Sequence, residues 1–295
     1  MKIAAIVVTF NRKDMLRQCI QRILEQKEAD CDLIIIDNAS TDGTEDLIQR
    51  INQEHKLVYF NTGKNLGGAG GFQYGLKKAY QLGYDGFWLM DDDTYPEANA
   101  LKELLRADSV LHGEYGFLSS VTLWKDGTLC NMNVQRVSVH QKIREIEDEL
   151  TPVVMATFVS FFLRRNTVEK FGLPLKEFFI WSDDLEYSRR ISRELMCYVV
   201  RDSRVIHFMQ SNEKVGIEKE SIDRLWRYEY LYRNEVYLYR REGIKGWIYL
   251  LARMGLHSMR ILQSDTKDKR RKLQIIWKSF AKGLRFNPRI EYVQT

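Results

Sequence analysis

Three consecutive carboxylates, Asp91, Asp92 and Asp93, directly follow GFWLM, a run apolar enough to be a strand buried on both faces. Acids crowded at a strand end repel one another and lose hydration, a cost that a bound cation offsets most simply. Hard oxygen ligands suit Mg2+ or Mn2+, and either ion can share a pyrophosphate with the protein. The other reading is a solvated acidic turn. His207 stands in the apolar stretch VIHFMQ after a predicted strand. Alone it reads as a hydrogen-bonded core histidine; beside a carboxylate metal site it becomes a ligand candidate.

Residues 63–72, GKNLGGAGGF, place glycines at 67, 68, 70 and 71 just before a helical pattern. Glycine permits close backbone approach to a ligand, and amide N–H groups at a helix start face anions. Neither the Rossmann nor the Walker A spacing fits, and a tight turn against the sheet is the alternative. In WSDDLEY, residues 181–187, acidic and aromatic groups crowd a strand-to-helix junction. A carboxylate there becomes a general base if burial or a neighbouring acid raises its pKa. Asp183 also reads as a helix N-cap, Asp184 less readily.

The elements that must position these groups alternate as βαβα over residues 1–107, the rhythm of a mainly parallel sheet with helices on both faces. IAAIVVTF, DLIIID, LVYFNT and GFWLM are the strands. Met15, Leu16, Cys19, Ile20, Ile23 and Leu24 keep a helical period, with Asn11 and Asp14 as the expected cap. Asp42 and Glu45 form a second capping pair, and Pro96 marks a further helix start. Residues 115–163 read as antiparallel strands around a flexible charged loop, KIREIEDEL; FFIW reads as a short edge strand and CYVVR as a later one. Two or three amphipathic helices are expected from about residue 218.

With 295 residues, 44% hydrophobic and 29% charged, the chain is an ordinary globular protein, which excludes disordered, collagen-like and disulfide-stapled classes. Its four cysteines form no CxxC pair or zinc spacing and read as reduced core residues of a cytosolic protein. KIAAIVVTF runs into Asn11 and Arg12 without a cleavage site, so it reads as a strand rather than a signal peptide. Residues 224–295 hold 17 Lys and Arg against 6 Asp and Glu, whereas residues 1–223 hold 28 against 34. No apolar stretch reaches the roughly 18 residues of a membrane span. The basic, aromatic tail therefore fits peripheral contact with an anionic membrane. Its alternatives are a helical cap on the catalytic body or a dimer interface, making the protein a homo-oligomer. A nonenzymatic nucleic-acid-binding protein would also use such a tail, but has no use for the acidic motif. A nucleotidyltransferase would use the acids and a metal, yet not the WSDDLEY base.

IVVTFNR, IIIDNASTDGT, NLGGAGGF, LMDDDT and WSDDLEY, in that order, resemble the inverting family 2 glycosyltransferases over roughly residues 1–240. Within them the chain looks most like bacterial galactofuranosyltransferases, then rhamnosyltransferases using dTDP-rhamnose. The resemblance implies an α/β GT-A fold, a mixed and mainly parallel sheet flanked by helices, with a C-terminal helical extension. Residues 1–217 would be the catalytic domain, 1–107 binding nucleotide and 108–217 acceptor, and 218–295 the basic helical region. Thr9, Phe10, Arg12, Asp37, Asn38, Asn65, Gly67, Gly68, Gly70, Gly71 and Asp92 would line the donor pocket. Asp91, Asp93 and His207 would bind Mn2+ or Mg2+, Asp184 with Asp183 would be catalytic, and Trp181 and Glu186 would meet the acceptor. The implied donor is UDP-galactofuranose and the implied acceptor a lipid-linked glycan of a bacterial surface polysaccharide, such as capsule, O antigen or cell wall, at the inner face of the cell membrane. No nucleic-acid partner is expected.

Overall fold

The computed structural model describes residues 1–55, 57–213 and 215–293. The expected alternation opens the chain as β1 (Ile3–Thr9), α1 (Lys13–Leu24), β2 (Asp32–Asp37), α2 (Thr44–Glu54), β3 (Val58–Asn61), α3 (Gly67–Gln81) and β4 (Gly86–Asp91). There follow β5 (Thr94–Pro96), α4 (Ala100–Val110), β6 (Leu118–Leu123), β7 (Leu150–Pro152), β8 (Phe161–Arg164), α5 (Arg165–Phe171), α6 (Asp183–Ser192) and β9 (Tyr198–His207). Three helices, α7 (Trp226–Arg240), α8 (Gly243–Gln263) and α9 (Lys269–Arg285), form the C-terminal region.

Among the described residues the strands make one mixed sheet, ordered β3-β2-β1-β4-β8-β6-β9-β5, with β7 paired to β9. β1 to β4 run parallel, and their register sets Thr9 beside Asp37 and Val8 beside Asp91. Parallel strands end on a common edge, so motifs distant in sequence arrive together there. β9 reaches that edge by pairing with β5, which places His207 opposite Thr94.

Period-two alternation sorts β1 between two cores. Ala4, Ile6 and Val8 face Phe72 and Leu76 of α3, while Ile3, Ala5 and Val7 face Leu16, Cys19 and Ile20 of α1 and Leu101 and Leu104 of α4. Each large aliphatic side chain so buried contributes about 1.5–3 kcal/mol. The four cysteines are free, three of them buried.

The structure corrects several local expectations. FFIW is not a strand: Lys176–Phe178 forms a 3-10 turn, and Phe179, Trp181 and Ser182 take φ of 63°, 65° and 68°. Left-handed backbone at three non-glycine residues is costly and needs outside support. Buried Asn234 of α7 supplies it, donating its amide to the carbonyls of Phe178, Ile180 and Trp181 at 3.0, 3.2 and 2.9 Å. Asn11 does not cap α1; its Oδ1 accepts from Thr41 N at 2.7 Å, and Asp42 Oδ2 instead accepts from Lys13 N at 2.9 Å. These two bonds tie together the loops after β1 and β2. Pro96 closes β5, and α4 starts at Ala100. β6 is antiparallel to β8 but parallel to β9. The charged segment 142–150 is irregular until β7, yet anchored by the buried Ile143, whose N–H donates to Gln135 O at 2.9 Å.

The aromatics of the tail are mainly core. Tyr228, Tyr232, Tyr237 and Tyr239 of α7 are buried. Beyond α9 the chain returns to the body, where Glu291 O accepts from Leu173 N at 2.8 Å and its carboxylate meets Lys77 Nζ at 2.6 Å and Lys176 Nζ at 3.3 Å.

Candidate active site

The acids after β4 have three different surroundings. Asp92 is buried and accepts from Thr9 Oγ1 at 2.7 Å and Arg12 Nη1 at 3.2 Å. Asp93 is shared between Arg12 Nη1 at 2.7 Å and His207 Nε2 at 3.0 Å. Asp91 has no side-chain hydrogen-bond donor among the described residues, although its carboxylate lies in the same cluster. One ligand atom from each of Asp91, Asp93 and His207 lies within 4.8 Å of the others.

Charge follows from these contacts. Burial, then the neighbouring Asp93, pushes Asp91 up from the usual carboxylate range. Burial raises Asp92 to about 6 although Arg12 opposes it. Burial works in the same direction on Asp93, but the hydrogen bond and charge of His207, with Arg12, outweigh it and hold that acid low. Burial would lower His207, and the acids overcome it to raise the imidazole to about 10. Two carboxylates and an imidazole around a small, partly dehydrated space, one carboxylate lacking a donor, fit a divalent cation with oxygen and nitrogen ligands. The solvated-turn reading does not describe residues this buried.

The nucleotide-side residues collect on the same sheet edge. Buried Asp37 accepts from Ser40 N at 2.8 Å and from Tyr59 Oη at 2.7 Å. Asn38 donates to Gly67 O at 3.1 Å, while its Oδ1 is buried without a partner among the described residues. Phe10 is exposed. Asn65 Oδ1 accepts from Gly67 N at 2.8 Å, and Ala69 N donates to Phe179 O at 3.2 Å, so the first turn of α3 spends amides on the protein itself. A Cβ on Gly67 would stand 2.1 Å from Phe179 O, one on Gly70 2.7 Å from Leu66 Cβ, and one on Gly71 2.5 Å from Val8 Cγ1. Only at Gly68 among these four is the space open. Packing thus accounts for most of the glycine run.

Asp183 and Asp184 open α6 directly after the loop that Asn234 supports. Burial, then Asp184, pushes Asp183 far up, and Asp91 adds to the shift. Burial raises Asp184 to about 6, against a bond from Leu185 N to Oδ1 at 2.7 Å. Burial thus raises both members of the adjacent pair, Asp183 the further. Trp181 packs edge-on against Tyr228 at 5.2 Å. Glu186 is not brought to this group: it is buried with both oxygens on Arg190, at 3.2 and 2.9 Å.

Three residues here had no sequence signal pointing to the site. Asn133 Oδ1 meets His207 Nδ1 at 2.8 Å, but lies in an irregular segment without periodicity. Tyr59 holds Asp37 from the neighbouring strand, a contact that only the register reveals. Arg227, read in the sequence as part of a basic tail face, has a buried Nε without a partner among the described residues. Burial and the cations Arg224 and Arg12 press its pKa down.

The family model for glycosyl transferase family 2 matches residues 4–170. Galactofuranosyltransferase GlfT1 of Mycolicibacterium smegmatis is 24% identical over 282 residues, covering 88% of this chain and 93% of that protein. GlfT1 of Mycobacterium tuberculosis is 27% identical over 273 residues, covering 84% and 89%. The solved structure of mannosyltransferase PcManGT from Pyrobaculum calidifontis, in complex with GDP-Man and Mn2+, matches with a TM-score of 0.57 at 14% identity, over 97% of this chain and 76% of that one. That structural likeness gives the GT-A fold, and the family match, which takes in β1 to β8 and the acidic strand end, gives the class: the chain belongs to glycosyl transferase family 2 and is a glycosyltransferase.

Proposed function

We propose that the protein is an inverting galactofuranosyltransferase, moving the sugar of UDP-galactofuranose onto a lipid-linked glycan at the cytoplasmic face of a bacterial membrane, in surface-polysaccharide assembly. The observation that carries the transfer chemistry is the convergence of Asp91, Asp93 and His207 on the edge where Thr9 and Asp37 end their strands. The galactofuranose donor is supported by two GlfT1 relatives that align over most of both chains.

In this reading residues 1–107 hold the nucleotide and 108–217 the acceptor. Mn2+ or Mg2+ on Asp91, Asp93 and His207 would offset the charge that develops on the departing diphosphate. Arg12 neutralises Asp92 and Asp93, and Arg227, whose buried Nε has no partner among the described residues, is a second cation for the same anion. Thr9, Phe10, Asp37, Asn38, Asn65 and the open backbone at Gly68 line the nucleotide side. Asp184 takes the proton of the acceptor hydroxyl as it attacks the anomeric carbon; Asp183 keeps its own proton and so adds no second negative charge. Trp181 offers a ring to the acceptor sugar. A single displacement inverts the anomeric centre, so no covalent nucleophile is needed.

The test is a donor comparison. Purified protein with Mn2+ and lipid-linked acceptors receives UDP-galactofuranose, UDP-galactopyranose or dTDP-rhamnose, and nucleotide release is followed. Acceptor-dependent UDP release from the furanose donor is expected. Turnover of dTDP-rhamnose alone would replace the donor while keeping the mechanism.

A further inference from the structure

α8 exposes Ile244 (79%), Ile248 (63%), Leu251 (48%), Met259 (48%) and Leu262 (59%) at helical spacing. Ala252, Gly255 and Leu256 fill the intervals, so every exposed residue of the helix from 248 to 259 is apolar. The opposite face is satisfied: Leu250, Met254 and Ile261 are buried in the core shared with α7 and α9. A continuous apolar stripe of this length marks an interaction surface.

Charge decides what covers it. Lys245 and Arg260 stand at its ends, and Lys269 Nζ donates to Leu262 O at 2.8 Å, bringing the start of α9 against the last turn of the stripe. Exposed Arg270 and Arg271 follow, and α9 contains no Asp or Glu. Exposed Trp277 sits with Leu273 in a shallow depression flanked by Arg270 and Lys278. A second copy joined through this same face would set like charges together, whereas an anionic lipid surface accepts apolar side chains and cations at once. Among the described residues no helix is long and apolar enough to cross a membrane, so such contact lies in the interface.

We infer that α8 lies in the plane of an anionic bilayer, with its 244–262 stripe in the interfacial layer and the basic residues of α9 on the headgroups. This gives a surface to the membrane location proposed above and rests on that reading for its purpose. The binding itself is tested without donor or acceptor. The full chain is sedimented with vesicles of phosphatidylglycerol and phosphatidylcholine, or of phosphatidylcholine alone, at low and high salt. Capture by the anionic vesicles, reversed by salt, is expected. Ile248→Glu with Leu251→Glu should abolish capture, with thermal melting and Mn2+ binding unchanged. Arg270→Glu with Arg271→Glu should weaken it by about 30-fold or more, at roughly one tenfold step per 1.4 kcal/mol. Equal capture by both vesicle types, or wild-type capture by the Ile248→Glu, Leu251→Glu protein, would overturn the inference. So would a dimer in sedimentation equilibrium that this double variant dissociates, which would give the stripe to a second copy. None of these outcomes alters nucleotide release with a soluble acceptor analogue, so the failure of the surface and the failure of the transferase reading are separable.

Discussion

Asn133 stands directly behind His207. Its Oδ1 lies 2.8 Å from Nδ1, and its own Nδ2 donates to Thr157 Oγ1 at 3.1 Å. With Nδ1 on the amide oxygen, Nε2 is the nitrogen turned to Asp93, at 3.0 Å. Asn133→Ala should weaken Mn2+ binding by about 10–100-fold, the usual effect of losing a partner behind a histidine ligand. Isothermal titration with Mn2+ alone reads this; wild-type affinity in a folded variant would remove Asn133 from the role.

Asp93 serves both His207 and Arg12. Asp93→Asn should therefore depress Mn2+ and donor affinity together. Chelation of the wild-type protein should stop transfer, and added Mn2+ should restore it. A variant that keeps its affinity for both ligands would contradict the metal assignment.

The raised pKa of Asp184, about 6, predicts the acid limb of the rate profile. A base acts when deprotonated, so kcat/KM should rise with pH through about 6 and level off above it. Asp184→Asn should lower kcat by about 10²–10⁴-fold and abolish that limb while donor binding persists. An unchanged limb in the residual activity would assign the titration elsewhere.

Two glycines at the start of α3 should behave oppositely. Gly71→Ala drives a methyl 2.5 Å from Val8 Cγ1 and should cost about 1–3 kcal/mol by overpacking, read as a lower melting temperature. Gly68→Ala meets nothing within 4 Å and should leave stability equal or slightly higher, its effect falling on donor KM. Destabilisation by both would mean that the start of α3 serves packing throughout.

Arg227 brings a tail residue into the donor reading. Its buried Nε has no partner among the described residues, so Arg227→Ala should weaken donor binding by about tenfold or more with little loss of stability. Unchanged donor affinity would return it to the surface.

The strands of the first half were legible because a parallel sheet buried on both faces writes near-continuous apolar runs, as in IAAIVV and GFWLM. Register then carried the acids, Thr9 and His207 to one edge without further information. The loop 178–182 was not legible, because its left-handed backbone is sustained by Asn234, more than fifty residues on, which no local pattern announces. Glu186 sits in the right motif yet is consumed by Arg190 one helical turn away, a pairing visible in spacing but not in burial. The cap of α1 failed for the same reason: Asp42 arrives from another loop.

The reach of Asn234 also bears on how such an enzyme could be redirected. Exchanging the C-terminal helices between relatives would withdraw the scaffold under the two aspartates along with the proposed membrane surface. Engineering a new address onto this transferase must therefore work by point changes on the outward sides of α8 and α9, leaving α7 untouched.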